Sequence, residues 1–402
     1  MDRPLGRLSR LGRLGRLGRL GRLGRLLPAV LLALSAAPAA SAATAPPDDP
    51  ALSTGSHRTT LPADGPRTFR LERTTPGSTV HVALWYVGAG DSIGAGVRLS
   101  LGTAPGDESC GSGAVFRPTT GEPAPLLLTS ASTWTDAPEH PCASADTLSV
   151  RVGVPSDPAD RGRAATLLVY EEPPLSAYAF GLLDEPLTPA WVAPAPAPEP
   201  RPLTPGATPA DAPVVDDGTY AITVRPGRTA LVAVPLDWDQ TLRAQTADDT
   251  LAVHVLGPLL GASDASTAPG RAQSHVVSFL HREAYDPTAA GASLAGVHYV
   301  LVSAPEARQP VTTTLTLARS GTAAEGVPDY ASGALLAPQA DSRLTDGSLR
   351  APAPPTARPT ATVPEDDDDG RTLLLVGGGI AAAVAVALLV RTTRRAGRAR
   401  GR

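Results

Sequence analysis

The chain of 402 residues has no lysine and no asparagine. Arginine therefore carries all its fixed positive charge. Any acyl-transfer chemistry would also lack an asparagine to steady an oxyanion. There are two cysteines in all. With no Cys-x-x-Cys, His-x-x-x-His or His-Glu-x-x-His spacing, the usual zinc and dithiol motifs are excluded. Four Phe and seven Tyr are few for this length, so any core is built mostly from Val, Leu and Ala. Helical periodicity is weak everywhere except in two terminal segments.

Those two segments read as membrane signals. Residues 1–42 have a basic start, with Arg3, Arg7 and an arginine at every third position from Arg10 to Arg25. An apolar stretch follows from Leu26 to Ala40, then the small-residue cleavage site Ala40-Ser41-Ala42. This is the pattern of a signal peptide. The Leu-Gly-Arg repeat has period three, so on a helix its leucines precess and build no stable face. Repeat expansion in a tolerant leader explains it more simply than a membrane-surface or nucleic-acid arm. No Arg-Arg pair occurs there, which favours general secretion over twin-arginine export. At the other end, Leu373 to Val390 is apolar, long enough at about 1.5 Å per residue to span a hydrocarbon core. An acidic run, Glu365 to Asp369, precedes it, and six arginines from Arg391 to Arg402 follow. The positive-inside rule puts this tail in the cytoplasm, where it attracts anionic lipid headgroups. No LPxTG-like sorting motif precedes the helix. Gly377, Gly378 and Gly379 would let two such helices approach closely.

Without leader and tail, the exported part holds 21 arginines against 38 acidic residues, a net charge near −17. Such a surface repels phosphate backbones, so no nucleic-acid partner is expected.

The exported part divides by composition. The expected layout is a disordered start at 43–57, a first β domain at 58–175, and a Pro/Ala-rich linker at 176–216. A second β domain at 217–320 and a Pro/Thr/Ala-rich stalk at 321–371 follow, then the transmembrane helix at 372–390 and the basic tail at 391–402. The runs Val80–Val87, Thr147–Val154, Tyr220–Val224, Leu251–Leu256, His298–Val302 and Val311–Leu317 read as strands bounded by Gly, Pro and Asp clusters. The expected fold class is all-β, two β-sandwich or jelly-roll-like domains joined by the linker. An internal repeat supports this. Pro76-Gly77-Ser78-Thr79-Val80-His81-Val82-Ala83-Leu84 matches Pro226-Gly227-Arg228-Thr229-Ala230-Leu231-Val232-Ala233-Val234. Each block thus opens with strand, Pro-Gly type II turn, strand.

The second block, from Asp217-Gly218-Thr219-Tyr220 through that turn to Val234-Pro235-Leu236-Asp237-Trp238, resembles the opening of pre-peptidase C-terminal-type β-sandwich domains. The arrangement is similar to actinobacterial membrane-anchored surface proteins with tandem domains of that type, some encoded beside von Willebrand A domain proteins. The resemblance covers about half the chain. It implies non-catalytic accessory modules and supplies no catalytic residues.

Cys110 and Cys142 are expected to form a structural disulfide, worth about 3 to 4 kcal/mol in the chain-entropy model. The segment between them, Gly111 to Pro141, reads as a loop. Gly90-Asp91-Ser92-Ile93-Gly94 resembles the nucleophile block of GDSL-type esterases, but the late Asp-x-x-His is missing. An enzyme would need His81 or His140 to reach Ser92, and a polar loop is the simpler reading. His275, His281 and His298, near Glu283 and Asp286, have no metal-ligand spacing. Asp366 to Asp369 lack the turn glycine of a calcium loop. No metal, cofactor or catalytic residue is therefore expected. Trp85 and Trp238 sit in strand-like runs and read as core, while Trp134 is the best-exposed candidate for ligand contact. The expectation is a non-enzymatic cell-surface ectodomain for protein-partner binding or display. The partner would be an envelope protein, such as a von Willebrand A domain protein. The alternative is a lectin-like protein binding cell-wall polysaccharide through the loop around Trp134.

Overall fold

A computed structural model describes residues 49–117, 126–137, 139–283, 286, 288–323, 328–331 and 335–344. The leader, the apolar segment Leu373 to Val390, the arginine tail and Asp366 to Asp369 lie outside the described residues. Among the described residues no helix is long and apolar enough to cross a membrane.

The described chain is nearly all β. Its first block holds β1 (Ala51–Leu52), β2 (Gly55–Thr60), β3 (Arg67–Glu72), β4 (Thr79–Val87), β5 (Gly96–Gly102), β6 (Gly111–Phe116), β7 (Leu126–Ser132), β8 (Thr147–Val152) and β9 (Ala164–Glu172). They form two sheets, β1-β3-β8-β5-β6 and β2-β9-β4-β7. Every second residue of these strands points into one shared core: Phe69 and Leu71, Val80 to Tyr86, Val97 to Leu101, Leu148 to Val152, and Leu167 and Val169. The second block holds β10 (Arg201–Pro202), β11 (Gly218–Val224), β12 (Ala230–Leu236), β13 (Thr241–Thr246), β14 (Ala252–Leu256), β15 (Asp264–Ala268), β16 (Arg271–Ser274), β17 (Gly296–Ser303) and β18 (Val311–Ser320). Its sheets are β10-β11-β18-β13-β16-β15 and β12-β17-β14, packed around Tyr220, Ile222, Val232, Val234, Trp238, Val300 and Leu315.

The sequence repeat is a structural repeat. In both blocks the strand before the Pro-Gly turn lies in one sheet and the strand after it in the other. The turn is therefore a crossover between layers rather than a hairpin. Gly77 and Gly227 have φ of 76° and 61°, the left-handed value that a type II turn requires at that position. In the first block a buried carboxylate secures this corner. Glu171 accepts from the backbone N–H groups of Thr74 and Thr75 and from the hydroxyls of Thr74 and Ser78, at 2.6–3.1 Å.

Three segments differ from the sequence reading. Residues 51–57, expected to be disordered, contribute β1 and the start of β2. They are too polar to read as strands, yet β2 pairs along β9 as the edge strand of its sheet. The region between the cysteines is not one loop: it holds β6 and β7. The glycines that suggested a loop have a packing role, since a Cβ on Gly111 or Gly113 would lie 2.3 or 2.0 Å from the carbonyl oxygen of Ser132 or Ser130. Finally, residues 328–331 and 335–344 of the expected stalk pack on the sandwiches. Ala331 N–H donates to Pro174 O, Val297 N–H donates to Ser342 O, and Leu344 is buried.

The Pro/Ala-rich linker is extended but not free. Arg201–Pro202 pairs in parallel with β11, and residues 206 and 214 bridge to Leu231 and Ala233 of β12. It thereby covers one edge of each sheet of the second sandwich, along β11 and β12. Proline lacks an N–H and suits an edge position of this kind.

The two sandwiches form one compact unit. The faces of their inner sheets that point away from each core pack together. Ala83, Leu126, Leu168 and Tyr170 of the first meet Leu231, Ala233, Leu256, Val297 and Tyr299 of the second. This explains why β4, β12 and β17 are apolar at nearly every position rather than alternating: sheets covered on both faces read as continuous apolar runs.

Candidate functional site

Strand alternation grades the shared face from apolar to polar. On β7 the residues facing the second sandwich are Leu126, Leu128, Ser130 and Ser132. On β4 they are Val87, Trp85, Ala83 and His81, and on β9 they are Leu168, Tyr170 and Glu172. The apolar end is sealed. The polar end parts into a cleft of about 610 Å³, within the size range of small-ligand sites. One wall comes from β6, β7 and His81. The other comes from the turn Pro258 to Ala262, residues 290–294 and Arg282, and Trp134 stands between them. A smaller cavity of about 240 Å³ lies on the other side of Trp134, against Pro174, Phe180 and Phe279.

A buried polar network closes the inner end of the cleft. Glu172, with a fully buried side chain, accepts from Arg282 Nη2 at 2.6 Å and Tyr330 Oη at 2.5 Å, and its Oε2 lies 2.8 Å from His81 Nε2. Burial pushes its pKa up, but Arg282 and the His81 hydrogen bond outweigh this and leave it lowered. An ionised carboxylate only accepts, so His81 Nε2 carries the proton. Burial lowers the His81 pKa, and Glu172 only partly offsets it. The ring is therefore neutral and Nδ1 holds a lone pair. Burial, with the Glu172 charge, raises the Tyr330 phenol well above its usual value and keeps it a donor. The Arg282 guanidinium lies 3.7 Å from the Phe279 ring centroid and 5.6 Å from that of Trp134. Its Nε and Nη1 have no hydrogen-bond partner among the described residues, and the ring faces take up part of the charge instead.

The second wall holds backbone strain. Leu260, buried within its turn, has φ of 65°, a conformation that costs a leucine on the order of 1 kcal/mol or more. Gly257 N–H donates to Gly261 O and Leu260 N–H donates to Gly257 O, which holds the turn in place.

The candidate residues fall in separate places. Cys110 and Cys142 form the disulfide, with Cα atoms 5.2 Å apart. Arg73 fastens that corner by donating to the carbonyls of Cys142, Ala143 and Ala145. Trp134 lines the cleft, but it is half-buried and packs edge-on against Phe279 at 5.3 Å, so it also joins the sandwiches. Trp238 lies in the second core, and Trp85 packs in the layer between the sandwiches. Ser92 N–H donates to Asp157, in a buried cluster with Arg117 and Asp160. That cluster lies beyond the Val87 end of β4, whereas His81 is near the opposite end. At about 3.3 Å per residue the two are roughly 20 Å apart. His140 Nδ1 accepts from Cys142 N–H at the disulfide corner. His275 and His281 do meet, with ring centroids 5.2 Å apart. His298 is buried apart from them, its Nδ1 on Gly296 O. Among the described residues no group of three or more His, Cys, Asp or Glu is arranged to hold a metal ion.

The sequence reading missed Glu172, Arg282 and Tyr330. A signal was there for Glu172. Two adjacent carboxylates, Glu171 and Glu172, end a strongly apolar strand, and strand alternation sends them to opposite faces. Arg282 and Tyr330 reach Glu172 from more than 100 residues away in sequence, beyond local pattern.

No protein-family model matches the chain, and no curated protein matches it. Among solved structures it is similar to the CUB1-EGF-CUB2 domain of human MASP-1/3, at 11% identity over 66% of this chain and 100% of that one, with a TM-score of 0.18. It is also similar to the CUB1-EGF-CUB2 domains of rat MASP-1, at 8% identity over 66% and 98%, with a TM-score of 0.16. At such TM-scores the likeness establishes neither a shared topology nor a shared activity.

Proposed function

We propose that this chain is a non-enzymatic cell-surface ectodomain, anchored by its C-terminal apolar segment, that binds its partner at the cleft between the two sandwiches. The observation that carries the reading is the cleft itself. Both sandwiches wall it, a buried network fixes its inner end, and a strained leucine turn forms part of its lining. Strain retained against its cost is a pointer to a site. The leader, the acidic exported surface and the arginine tail support the topology. The resemblance to pre-peptidase C-terminal-type accessory modules supports a role without catalysis. In the first form of this reading the partner is an envelope protein. In the second it is a wall polysaccharide, favoured by the position of Trp134 in the cleft.

Two experiments test the reading. Protease treatment of intact cells should digest the β domains and spare the basic tail; survival of the domains would refute the topology. The full-length chain in detergent should be retained on washed envelope material, and Trp134→Phe should weaken that retention. Retention unchanged by substitutions throughout the cleft would refute the site.

A further inference from the structure

We infer that the cleft is built for a neutral, hydroxyl-bearing ligand, a short oligosaccharide in chemical class, with His81 Nδ1 accepting a ligand hydroxyl. The inference rests on the proposed binding role and specifies its chemistry. Three observations lead to it.

The first is charge. Among the described residues Arg282 is the one cation along the cleft, and no carboxylate lines it. The arginine is already neutralised by Glu172 at 2.6 Å and covered by aromatic rings. A site with no uncompensated charge gives little reward to an ionic ligand and does not repel a neutral one.

The second is the hydrogen-bonding inventory. Ser112, Ser130, Ser132 and Ser293 line the cleft, and each hydroxyl can both donate and accept. The Ser132 hydroxyl accepts from Trp134 N–H, which leaves its proton available. His81 adds a directional acceptor. Its Nε2 is held on Glu172, and among the described residues no hydrogen bond reaches its Nδ1. The ring is fixed from both sides of β4. It stacks on Tyr170 with centroids 5.9 Å apart on one side and is paired with Ser132 across the strands on the other. A sugar ring fits this set, since its hydroxyls donate and accept in turn.

The third is the wall. Leu128, Leu259, Leu260 and Trp134 give the cleft apolar surface beside its hydroxyls. A sugar ring presents C–H faces between its hydroxyl edges, and an apolar and aromatic wall matches such a face.

The test is a calorimetric titration of the full-length chain in detergent with the neutral sugars cellotetraose, maltotetraose, mannotetraose and tetra-N-acetylchitotetraose, alongside tetragalacturonic acid as the charged control. At least one neutral sugar should bind saturably and more tightly than the acid. His81→Gln keeps an N–H donor for Glu172 and removes the Nδ1 acceptor, and it should weaken binding at least tenfold. Ser130→Val, on the neighbouring strand of the same wall, should do the same without touching the buried network, which keeps the test sound if the histidine variant folds poorly. Failure of every neutral sugar to bind, preference for the acid, or affinity unchanged in both variants would overturn the inference. Retention on envelope material that persists while no sugar binds would leave the wider binding role standing and refute only its carbohydrate chemistry.

Discussion

Glu172 is the residue on which the joint between the sandwiches depends. Its carboxylate has three donors from three distant parts of the chain; His81 and the Arg282 side chain are buried with it, and Tyr330 is half-buried. Removing one member of a buried ion pair leaves the other uncompensated, at a cost of about 3–5 kcal/mol. Glu172→Ala should therefore lower the denaturant midpoint by that much stability, whereas Glu172→Leu combined with Arg282→Leu should recover most of the loss. Chemical denaturation of the single and double variants checks this. Trp134 was legible in the sequence as a candidate, but its surroundings were not. Phe180 and Phe279, which hold it half-buried, are tens of residues or more away in sequence and come together only through packing.

At the scale of elements, the strands were legible wherever alternation or a branched apolar run was strong. β3, β4, β8, β11, β14, β17 and β18 lie where the pattern puts them. The glycine-rich β6 and the polar β2 escaped because a strand made for close contact, or for an edge, needs few of the usual residues. The repeated Pro-Gly corner gives a paired prediction. Gly77→Ala and Gly227→Ala place a side chain at positive φ and should each cost about 1–2 kcal/mol. Nothing lies within 4 Å of a Cβ at Gly227, and at Gly77 the nearest atom is a proline carbon at 3.7 Å. The cost is thus conformational at both, and the two denaturation curves should shift alike. The disulfide joins residues 32 apart, so Cys110→Ser with Cys142→Ser should cost about 3 to 4 kcal/mol, read by the same measurement under matched conditions.

At the scale of the whole molecule, the sequence suggested two beads on a stiff string, whereas the structure stacks four sheets into one unit. The missed clue was the continuous apolar character of β4, β12 and β17, which one sandwich core alone does not require. This stacking also buries histidines, with a consequence for pH. Burial lowers the pKa of His281 to about 4, helped by the neighbouring His275, and that of His298 to about 4, while His81 is lowered too. Unfolding frees all three to bind protons near their usual 6.5. The unfolded state then holds more protons, so stability should fall as pH drops from about 6.5 toward 4. Glu172, lowered by Arg282 and His81 against burial, adds a further loss as pH falls through its folded pKa. His254, raised first by its hydrogen bond to Asp264, acts in the opposite direction and offsets part of the fall. Thermal midpoints measured between pH 7 and 4 should decline, and His298→Leu should flatten the decline.

The claim that matters most is that the cleft between the sandwiches is where this protein binds. Ser112 stands on the cleft lip with its side chain exposed, so Ser112→Trp fills the opening without entering either core. Retention of the full-length chain on washed envelope material should be abolished in this variant while the thermal midpoint stays at the wild-type value. Full retention by a folded Ser112→Trp protein would contradict the account and move the binding surface elsewhere on the molecule.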